Sequence, residues 1–449
     1  MKIDKSLLFH SKMISNFSRK VTSLSVDVLV IGAGPGGYAS AIRSGQLGLK
    51  TVCVEKEKLL GGTCLREGCI PSKFLLNVSR KFYETNNDIR KYGISLESKA
   101  KVDLNSVHHI KESIMDTNSQ GLEFLMSKYN VKLEKGFAFI HDPENIVVRK
   151  SGSDDVIYHP KHLILATGTD VFSPEDYKID EELVVSSRGA LQFRKVPKKL
   201  FVIGAGIIGL ELSSVWSELG SKVTVCDIAT SICSNALDKD ISNILKSSME
   251  KRGVNFILGK KPSIFKKNGY VEVKIEDKVF NYDNVLVAIG RKPMLKGFGF
   301  ENLGVKLNKK GSIIVDKKYQ TNIPRVYAIG DIISGPQLAH KAEEEGITCI
   351  EMINGRKSGI NYNTIPSVIY THPEVAHIGH TERELKMKGI KFNKKFYRYP
   401  SNSFSKVNFQ NDGFIKVIRS LEEKTLGLDI IGENAGEIIS QNGLLMKIN

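Results

Sequence analysis

The sequence predicts an α/β protein with two Rossmann-like dinucleotide-binding domains and a smaller α+β domain at its C-terminal end. Two glycine-rich motifs, each directly after an apolar run, indicate the paired nucleotide-binding domains: residues 32–37 and residues 204–209. A change of pattern from about residue 361, where short strand-like segments and turns replace the longer elements, indicates the third domain.

The first nucleotide-binding unit begins with the apolar run Val26–Ile31, which is typical of a buried parallel strand. The motif Gly32-Ala33-Gly34-Pro35-Gly36-Gly37 follows, then a helix predicted over Tyr38–Gln46 and a strand over residues 50–55. The first glycine permits a tight turn, the second lets a pyrophosphate approach the backbone, and the third lets the helix pack on the strand. Glu55, eighteen residues after Gly37, is predicted to bind ribose hydroxyl groups.

The second unit repeats this layout. The run Leu200–Ile203 leads into Gly204-Ala205-Gly206-Ile207-Ile208-Gly209, and a helix and a strand over residues 222–226 follow. Asp227 lies eighteen residues after Gly209, which is the spacing of the first unit. A carboxylate here would repel a 2′-phosphate, and residues 228–234 contain no Lys or Arg to neutralise one. This unit is therefore predicted to bind NAD rather than NADP.

Length and composition limit the classes of protein to which this chain can belong. A chain of 449 residues with 41% hydrophobic and 25% charged residues is typical of a globular protein with roughly three domains. No run of about 18 apolar residues occurs, so no membrane span is predicted. The net charge of +16 is spread along the chain without a dense basic block, which indicates a general surface bias and not a nucleic-acid site.

Residues 1–25 differ in composition from the rest of the chain. They are rich in serine and contain one acid, Asp4, against a set of basic residues: Lys2, Lys5, Lys12, Arg19 and Lys20. This composition predicts a transit peptide for a mitochondrion or plastid, with a disordered tail as the alternative.

Two of the six cysteines, Cys64 and Cys69, share the stretch Gly61-Gly62-Thr63-Cys64-Leu65-Arg66-Glu67-Gly68-Cys69-Ile70-Pro71-Ser72-Lys73. A zinc site normally needs four ligands, and the chain has no matching second pair, so no metal site is predicted. A structural disulfide is disfavoured in a reducing compartment, whereas a cysteine pair near a nucleotide-binding unit favours a redox disulfide. The scattered cysteines are predicted to be small buried apolar residues: Cys53, Cys226, Cys233 and Cys349.

At this cysteine stretch the sequence resembles the flavin-dependent disulfide reductases, the class I pyridine nucleotide-disulfide oxidoreductases. Within them it is most similar to the dihydrolipoamide dehydrogenase branch, the E3 component of 2-oxoacid dehydrogenase complexes. The similarity runs from about residue 26 to about residue 440 and includes Thr321–Asp331, Ala339–Gly346 and Pro366–Val375. It implies FAD in the first unit, NAD in the second, and oxidation of dihydrolipoamide to lipoamide. It also implies that Cys64 exchanges with the substrate dithiol and that Cys69 lies against the flavin.

The resemblance further implies which residues bind the two cofactors. Lys73 is expected near the reactive flavin nitrogen, paired with Glu211; a solvated lysine and a simple helix N-terminal acid are the alternatives for these two. His340 is expected to be packed and hydrogen-bonded, not catalytic. The implied flavin-side residues are Gly32, Gly34, Gly37, Glu55, Lys56, Gly62, Thr63, Lys73, Gly136, Thr167, Gly168, Asp331, Leu338, Ala339 and His340. The implied cofactor-binding residues in the second unit are Gly204, Gly206, Gly209, Glu211, Asp227 and Gly290, of which Glu211 is implied through its pairing with Lys73.

The domain order and the partners are also implied by the resemblance. A flavin domain is expected over residues 26–170, a nicotinamide domain over 171–290, a return to the flavin domain over 291–360 and an interface domain over 361–449. The expected assembly is a homodimer in the mitochondrial matrix, or in a plastid-type organelle. The expected partners are dihydrolipoamide on the lipoyl domain of a 2-oxoacid dehydrogenase complex and an E2 or E3-binding protein. No nucleic acid or membrane partner is expected.

The C-terminal end departs from the family pattern. In the family, a His-Pro segment with a downstream Glu follows the segment that matches Gly432–Ile439, and this histidine serves the partner subunit as acid/base for the dithiol. Residues 440–449 contain neither group, so the interface domain is expected to be incomplete. A dithiol without a positioned base would lose about 10²–10⁴-fold in rate. The alternatives to a full enzyme are an impaired E3-like paralogue, a diaphorase or scaffold subunit, and a glutathione reductase-like thiol-disulfide reductase.

Overall fold

The computed structural model describes residues 22–409 and 412–448. Of the predicted transit peptide, residues 1–21 lie outside the described residues. The described chain divides into two compact units. The first comprises residues up to Gly62 together with Asn118–Asp170 and Lys292–Gly359, and the second comprises Thr63–Thr117, Val171–Arg291 and the residues from Ile360 onward. Residues 63–117, which the sequence prediction assigned to the flavin domain, thus pack with the second unit.

The β-strands of the described residues are β1 Thr22–Ile31, β2 Thr51–Glu55, β3 Lys132–Lys135, β4 Phe137–Asp142, β5 Asn145–Arg149, β6 Val156–Leu165, β7 Thr169–Val171, β8 Val184–Val185, β9 Lys199–Ile203, β10 Lys222–Asp227, β11 Val254–Leu258, β12 Ser263–Lys267, β13 Tyr270–Ile275, β14 Lys278–Tyr282, β15 Asn284–Val287, β16 Arg291–Pro293, β17 Val326–Ala328, β18 Ser367–Ile369, β19 Glu374–Gly379, β20 Asn393–Arg398, β21 Phe414–Arg419 and β22 Thr425–Gly432.

The α-helices of the described residues are α1 Pro35–Gln46, α2 Gly62–Glu67, α3 Cys69–Tyr83, α4 Leu104–Lys128, α5 Ser187–Ala190, α6 Ile207–Glu218, α7 Lys239–Lys251, α8 Phe300–Leu303, α9 Ala339–Ile353, α10 Glu382–Met387, α11 Ser403–Val407 and α12 Ala435–Ile448. Within residues 22–409 and 412–448, none of these helices combines the length and the apolar character that crossing a bilayer would require.

The first unit is built on a seven-stranded sheet with the order β3-β2-β1-β6-β5-β4, in which β17 also pairs with β6. β1 is parallel to both β2 and β6, and its residues Val28–Ile31 are at most 2% exposed, as expected for a strand covered on both faces. β1 starts four residues earlier than predicted, because Thr22 already pairs with β6. α1 starts at Pro35, three residues earlier than predicted, because proline is well suited to the first helical turn, where its missing N–H is not needed.

The second unit contains the other nucleotide-binding sheet, with the order β11-β10-β9-β15-β8 and with all neighbouring strands parallel. Its core includes Leu200 and Val202 of β9, Val223 of β10 and Trp216 of α6, all fully buried. An antiparallel sheet of β12, β13 and β14 follows in the chain. Both glycine motifs therefore follow a central strand that is parallel to both of its neighbours, and the predicted α/β class is confirmed.

The C-terminal part of the second unit is a five-stranded antiparallel sheet with the order β18-β19-β22-β21-β20. α12 packs on this sheet through Ala435 and Ile439, which are fully buried, and the predicted α+β character is confirmed. The strand predicted over residues 364–370 is shorter than expected, since the Asn361 side chain accepts the Asn363 N–H and closes a helical turn over Tyr362–Thr364. The strand predicted over residues 412–418 is observed as β21.

Candidate active site

The first glycine loop leaves no room for side chains at its first and third glycines. Gly32 has φ +101°, and a Cβ atom on it would lie 2.5 Å from the carbonyl oxygen of Ala166. A Cβ atom on Gly37 would lie 1.8 Å from the Gly32 oxygen, so α1 can approach β1 only with glycine there. A Cβ atom on Gly34 would come no nearer than 3.7 Å to another atom, the Cα of Gly62. The middle of the loop therefore leaves space for a ligand against the backbone.

Glu55 at the end of β2 is fixed against this glycine loop. It is 6% exposed, and its carboxylate accepts the backbone N–H groups of Ala33 at 2.8 Å and Glu57 at 3.0 Å. The sequence prediction placed Glu55 beside a ribose, and the structure places it beside the loop that would hold the adjoining phosphates.

Several other residues of the first unit that were predicted to bind the flavin lie in turns. Gly62 has φ +59°, and a Cβ atom on it would lie 2.6 Å from the Cα of Gly34, so this residue allows two backbone segments to touch. Gly136 donates its N–H to the Glu55 carbonyl oxygen at 2.9 Å. The Thr167 hydroxyl donates to the Met294 carbonyl at 2.8 Å, and Gly168, with φ +69°, follows it.

A buried ion pair fixes the turn at Gly330, directly before Asp331. The N–H of Gly330 donates to Glu345 at 2.8 Å, and Lys341 donates to the Gly330 oxygen at 3.0 Å. Lys341 and Glu345 lie 3.1 Å apart, one helical turn from each other on α9, and both are fully buried. Sequence reasoning did not single out this pair, although its i,i+4 spacing within Ala339–Gly346 was a signal.

The remaining flavin-side residues of this unit are more accessible. Leu338 is the N-cap residue of α9 and Ala339 is its first residue. His340 is exposed, because it lies on the outer side of the first turn of α9, and is not packed as the sequence prediction expected. Asp331 accepts a hydrogen bond from Thr169 at 3.4 Å. The ammonium group of Lys56 lies 3.8 Å from the Glu57 carboxylate.

The second glycine loop, in the second unit, has the geometry of the first. A Cβ atom on Gly204, where φ is +108°, would lie 2.4 Å from the Ala288 oxygen, and one on Gly209 would lie 2.1 Å from the Gly204 oxygen. A Cβ atom on Gly206 would meet no atom within 4 Å. Asp227 accepts the N–H groups of Ala205 at 2.6 Å and of Ala229 at 2.8 Å, as Glu55 does in the first unit. Gly290, with φ +123°, accepts the N–H of Phe172 at 3.1 Å.

Cys64 and Cys69 form a disulfide, with Cα atoms 4.6 Å apart, at the turn between α2 and α3. Gly68 permits this turn, because a Cβ atom on it would lie 2.8 Å from the Thr63 carbonyl oxygen. The Thr63 hydroxyl lies 3.4 Å from a guanidinium nitrogen of Arg291. The other cysteines are buried and unbonded to one another, as predicted: Cys53, Cys226, Cys233 and Cys349.

Lys73 of α3 and Glu211 of α6 form an ion pair in the second unit. The Lys73 Nζ atom lies 2.8 Å and 3.1 Å from the two carboxylate oxygens, and the Glu211 side chain is only 4% exposed. Tyr370, directly after β18, contacts both members of this ion pair. Its N–H donates to Glu211 at 2.9 Å, and its ring centroid lies 4.8 Å from the Nζ atom of Lys73. Sequence reasoning missed Tyr370, which gives no local signal of this contact.

A second polar network includes Ser79, in the C-terminal half of α3. Glu218 of α6 accepts hydrogen bonds from Ser79 at 2.7 Å and from Arg252 at 3.0 Å. Burial, together with the charges of Arg252 and Arg80, lowers the pKa of His372 to about 3. This histidine is therefore neutral near pH 7.

Comparison with protein families identifies related proteins for both parts of the chain. Residues 26–346 match the pyridine nucleotide-disulphide oxidoreductases, and residues 365–449 match the dimerisation domain of the same family. The mitochondrial dihydrolipoyl dehydrogenase of Dictyostelium discoideum is 43% identical over 431 residues, which is 94% of this chain and 88% of that protein. The mitochondrial enzyme of Schizosaccharomyces pombe is 43% identical over 430 residues, 94% of this chain and 84% of that protein.

Solved structures share the fold at lower sequence identity. LpdA from Mycobacterium tuberculosis has a TM-score of 0.85 at 21% identity, covering 94% of this chain and 93% of that one. The HOCl-induced flavoprotein disulfide reductase RclA from Escherichia coli has a TM-score of 0.81 at 22% identity, covering 94% and 93%. On the evidence of the two family matches and of relatives more than 40% identical over most of its length, this chain belongs to the pyridine nucleotide-disulphide oxidoreductase family.

Proposed function

We propose that this chain oxidises dihydrolipoamide to lipoamide with NAD⁺, using FAD and the Cys64–Cys69 disulfide. The family is one of flavin-dependent disulfide oxidoreductases that use FAD and NAD. The observation that carries the proposal is the disulfide at the α2–α3 turn, in the same unit as the Lys73–Glu211 ion pair and the second glycine loop. The names of the relatives, which are dihydrolipoyl dehydrogenases, support this choice of substrate.

The two glycine loops fit two dinucleotides. In each loop a Cβ atom would clash at the first and third glycines but not at the middle one, so the backbone is open where a pyrophosphate binds. Gly32, Gly34, Gly37, Glu55 and Asp331 would hold FAD, and Gly204, Gly206, Gly209 and Asp227 would hold NAD. When bound, FAD supplies a two-electron acceptor between the cysteine pair and the nicotinamide.

The cysteines would perform the thiol–disulfide exchange. A thiolate of dihydrolipoamide attacks Sγ of Cys64, so the Cys64–Cys69 bond breaks and a mixed disulfide forms while Cys69 leaves as a thiolate. The second substrate sulfur then attacks the first, which releases lipoamide and returns Cys64 as a thiol. Two electrons move from substrate to the cysteine pair; one thiol proton ends on Cys64 and the other goes to solvent.

The position of Cys69 favours its thiolate form. Cys69 is the first residue of α3, where the unpaired backbone N–H groups and the helix dipole stabilise negative charge. Lys73 follows one turn later, on the same face of the helix. Glu211 and Tyr370 hold the Lys73 ammonium group in place, so this cation can balance charge at the cysteine without leaving its site.

The test is a turnover assay on the purified chain. We expect a yellow protein with flavin absorbance that reduces NAD⁺ when dihydrolipoamide is added and that prefers NAD⁺ to NADP⁺ at least tenfold, about 1.4 kcal/mol. A protein that binds no flavin, or one that turns over glutathione but not dihydrolipoamide, would contradict the proposal.

We further propose that the functional form is a homodimer, formed through the part of the chain that matches the dimerisation domain. Its physiological substrate would be dihydrolipoamide on the lipoyl domain of a 2-oxoacid dehydrogenase complex, to which an E2 or E3-binding protein tethers it. The mitochondrial location of the relatives supports the mitochondrial matrix as the compartment.

Exchange of single glycines should separate nucleotide binding from folding. Gly206→Ala adds a methyl group in open space, so we expect an unchanged melting temperature and a KM for NAD⁺ at least tenfold higher, because the methyl group meets the pyrophosphate. Gly209→Ala brings a methyl group to 2.1 Å from a carbonyl oxygen, so we expect a loss of about 1–3 kcal/mol of stability as well. Thermal melting and NAD⁺ titration check both. Equal stability losses in the two variants would contradict the assignment.

A further inference from the structure

A carboxylate lies inside the short ring that the redox disulfide closes. Glu67 is the last residue of α2, between Cys64 and Cys69, and its side chain is 15% exposed. Cys64 and Glu67 are three residues apart in a helix, so they share one face. The turn is tight: a Cβ atom on Gly68 would lie 3.3 Å from the Cα of Cys64. Glu67 therefore lies on the same face of α2 as Cys64, within the ring that the disulfide closes.

Arg188 of α5 neutralises this carboxylate. Its guanidinium donates from both Nε and Nη2 to the two oxygens of Glu67, with an Nη2–Oε1 distance of 3.1 Å. The arginine backbone is itself held, because the Ser186 hydroxyl accepts the Arg188 N–H at 3.0 Å and the Ser186 N–H donates to Glu181 at 3.0 Å. A bidentate pair of this kind fixes both the charge and the geometry of the carboxylate.

The pair has a chemical consequence for Cys64. Only the thiolate form of a cysteine attacks a disulfide or an alkylating agent. The Cβ atoms of i,i+3 neighbours lie about 5–6 Å apart, and an unpaired carboxylate on such a neighbour would oppose formation of that thiolate. The Arg188 side chain is 48% exposed, and ion pairs as exposed as this contribute little to stability. The Glu67–Arg188 pair is therefore better explained by its effect on the charge near Cys64 than by a contribution to the stability of the fold.

We propose that Arg188 is a positioning residue of the redox centre, which holds Glu67 so that its charge does not suppress the Cys64 thiolate. The inference rests on the proposed function of the cysteine pair. It concerns the reactivity of Cys64 alone, so it can be tested without turnover of dihydrolipoamide.

The experiment measures alkylation of Cys64 in the full-length, flavin-containing protein. Excess dithiothreitol supplies two electrons and two protons to the disulfide; after its removal, iodoacetamide reacts with the thiolate, forming a carbon–sulfur bond and releasing iodide. Trypsin cleaves after Arg66, so Cys64 and Cys69 fall in different peptides and mass spectrometry gives a rate for each. In Arg188→Gln we expect the Cys64 rate at pH 7 to fall about tenfold and its pH profile to shift upward by about one unit.

The double variant separates charge from structure. In Glu67→Gln/Arg188→Gln the opposing carboxylate is gone, so the Cys64 rate should return to within about threefold of wild type. The matched control is Arg194→Gln, which breaks the similarly exposed Arg194–Glu112 pair at 3.0 Å and should leave the Cys64 rate unchanged. Equal slowing in Arg188→Gln and in the double variant would overturn the proposal, as would an unchanged rate in Arg188→Gln.

Arg188→Lys keeps the charge and serves if the glutamine variant does not fold. It should alkylate at Cys64 within about threefold of wild type, and a tenfold fall in a folded, flavin-containing protein would overturn the proposal. Failure of the proposed function is a different result: Cys64 would show the expected charge dependence while the chain fails to oxidise dihydrolipoamide.

Discussion

Substitution of Cys64 by serine is expected to lower NAD⁺-dependent oxidation of dihydrolipoamide at least about 1,000-fold, because a hydroxyl group cannot form the disulfide or the mixed disulfide that the exchange requires. The substitution removes one sulfur from an existing bond with Cys69 and changes no residue of either glycine loop. We therefore expect the variant to keep its flavin absorbance.

Turnover of dihydrolipoamide and the visible spectrum, measured on the same preparation, check this prediction. The matched control is Cys349→Ala, which removes a fully buried thiol of α9 and should keep turnover within about threefold. A Cys64→Ser protein that retains more than a tenth of wild-type turnover would show that the disulfide does not carry the reaction.

Substitution of Lys416 by methionine is expected to destabilise the protein by about 3–5 kcal/mol. The Lys416 ammonium group is fully buried and lies 2.9 Å from both Asp238 and Asp429 and 3.1 Å from Glu382. Burial opposes the charge of Lys416, but Asp429 and Asp238 outweigh it and raise the pKa of the lysine above its ordinary value. Without the cation, three largely buried carboxylates would face one another.

The expected loss of stability in Lys416→Met depends on pH. Burial opposes ionisation of Asp238, but the hydrogen bonds from Lys416 and from the Glu382 N–H, together with the charge of Lys416, outweigh burial and lower the pKa of Asp238. A lowered pKa stabilises the folded state above the unfolded-state value of about 3.9 and loses that effect as the pH falls through the folded-state value. The difference in unfolding free energy between Lys416→Met and wild type should therefore be largest near pH 7 and shrink as the pH falls into the acid range, because the carboxylates left without a cation take up protons first in the variant.

Chemical denaturation of the second unit, followed by the fluorescence of Trp216, measures this difference. Lys394→Met is the matched control: Lys394 also binds Glu382, at 2.9 Å, but its side chain is 41% exposed, so its loss should cost less than about 1 kcal/mol. Equal effects of the two substitutions would contradict a buried charge cluster.

The sequence by itself determined the two nucleotide-binding sheets, their glycine loops and the cysteine turn. These features are local: a tight turn at Gly32 or Gly204 excludes a Cβ atom whatever else the chain does, and a buried parallel strand is a short apolar run. Element ends were less predictable. β18 is shorter than expected because one side chain, Asn361, competes for the backbone just before it.

Only the tertiary structure revealed the ion pairs of Glu67 and of Lys416. Glu67 and Arg188 are 121 residues apart, and Lys416 lies 178 residues from Asp238; nothing in either local sequence distinguishes these side chains from solvated ones. Their pairing depends on packing, which removes water from a few of the chain's many lysines, arginines and acids and makes a partner obligatory there. For that reason the sequence could predict the redox disulfide and, by resemblance, the Lys73–Glu211 pair, while the Glu67–Arg188 pair emerged only from the folded chain.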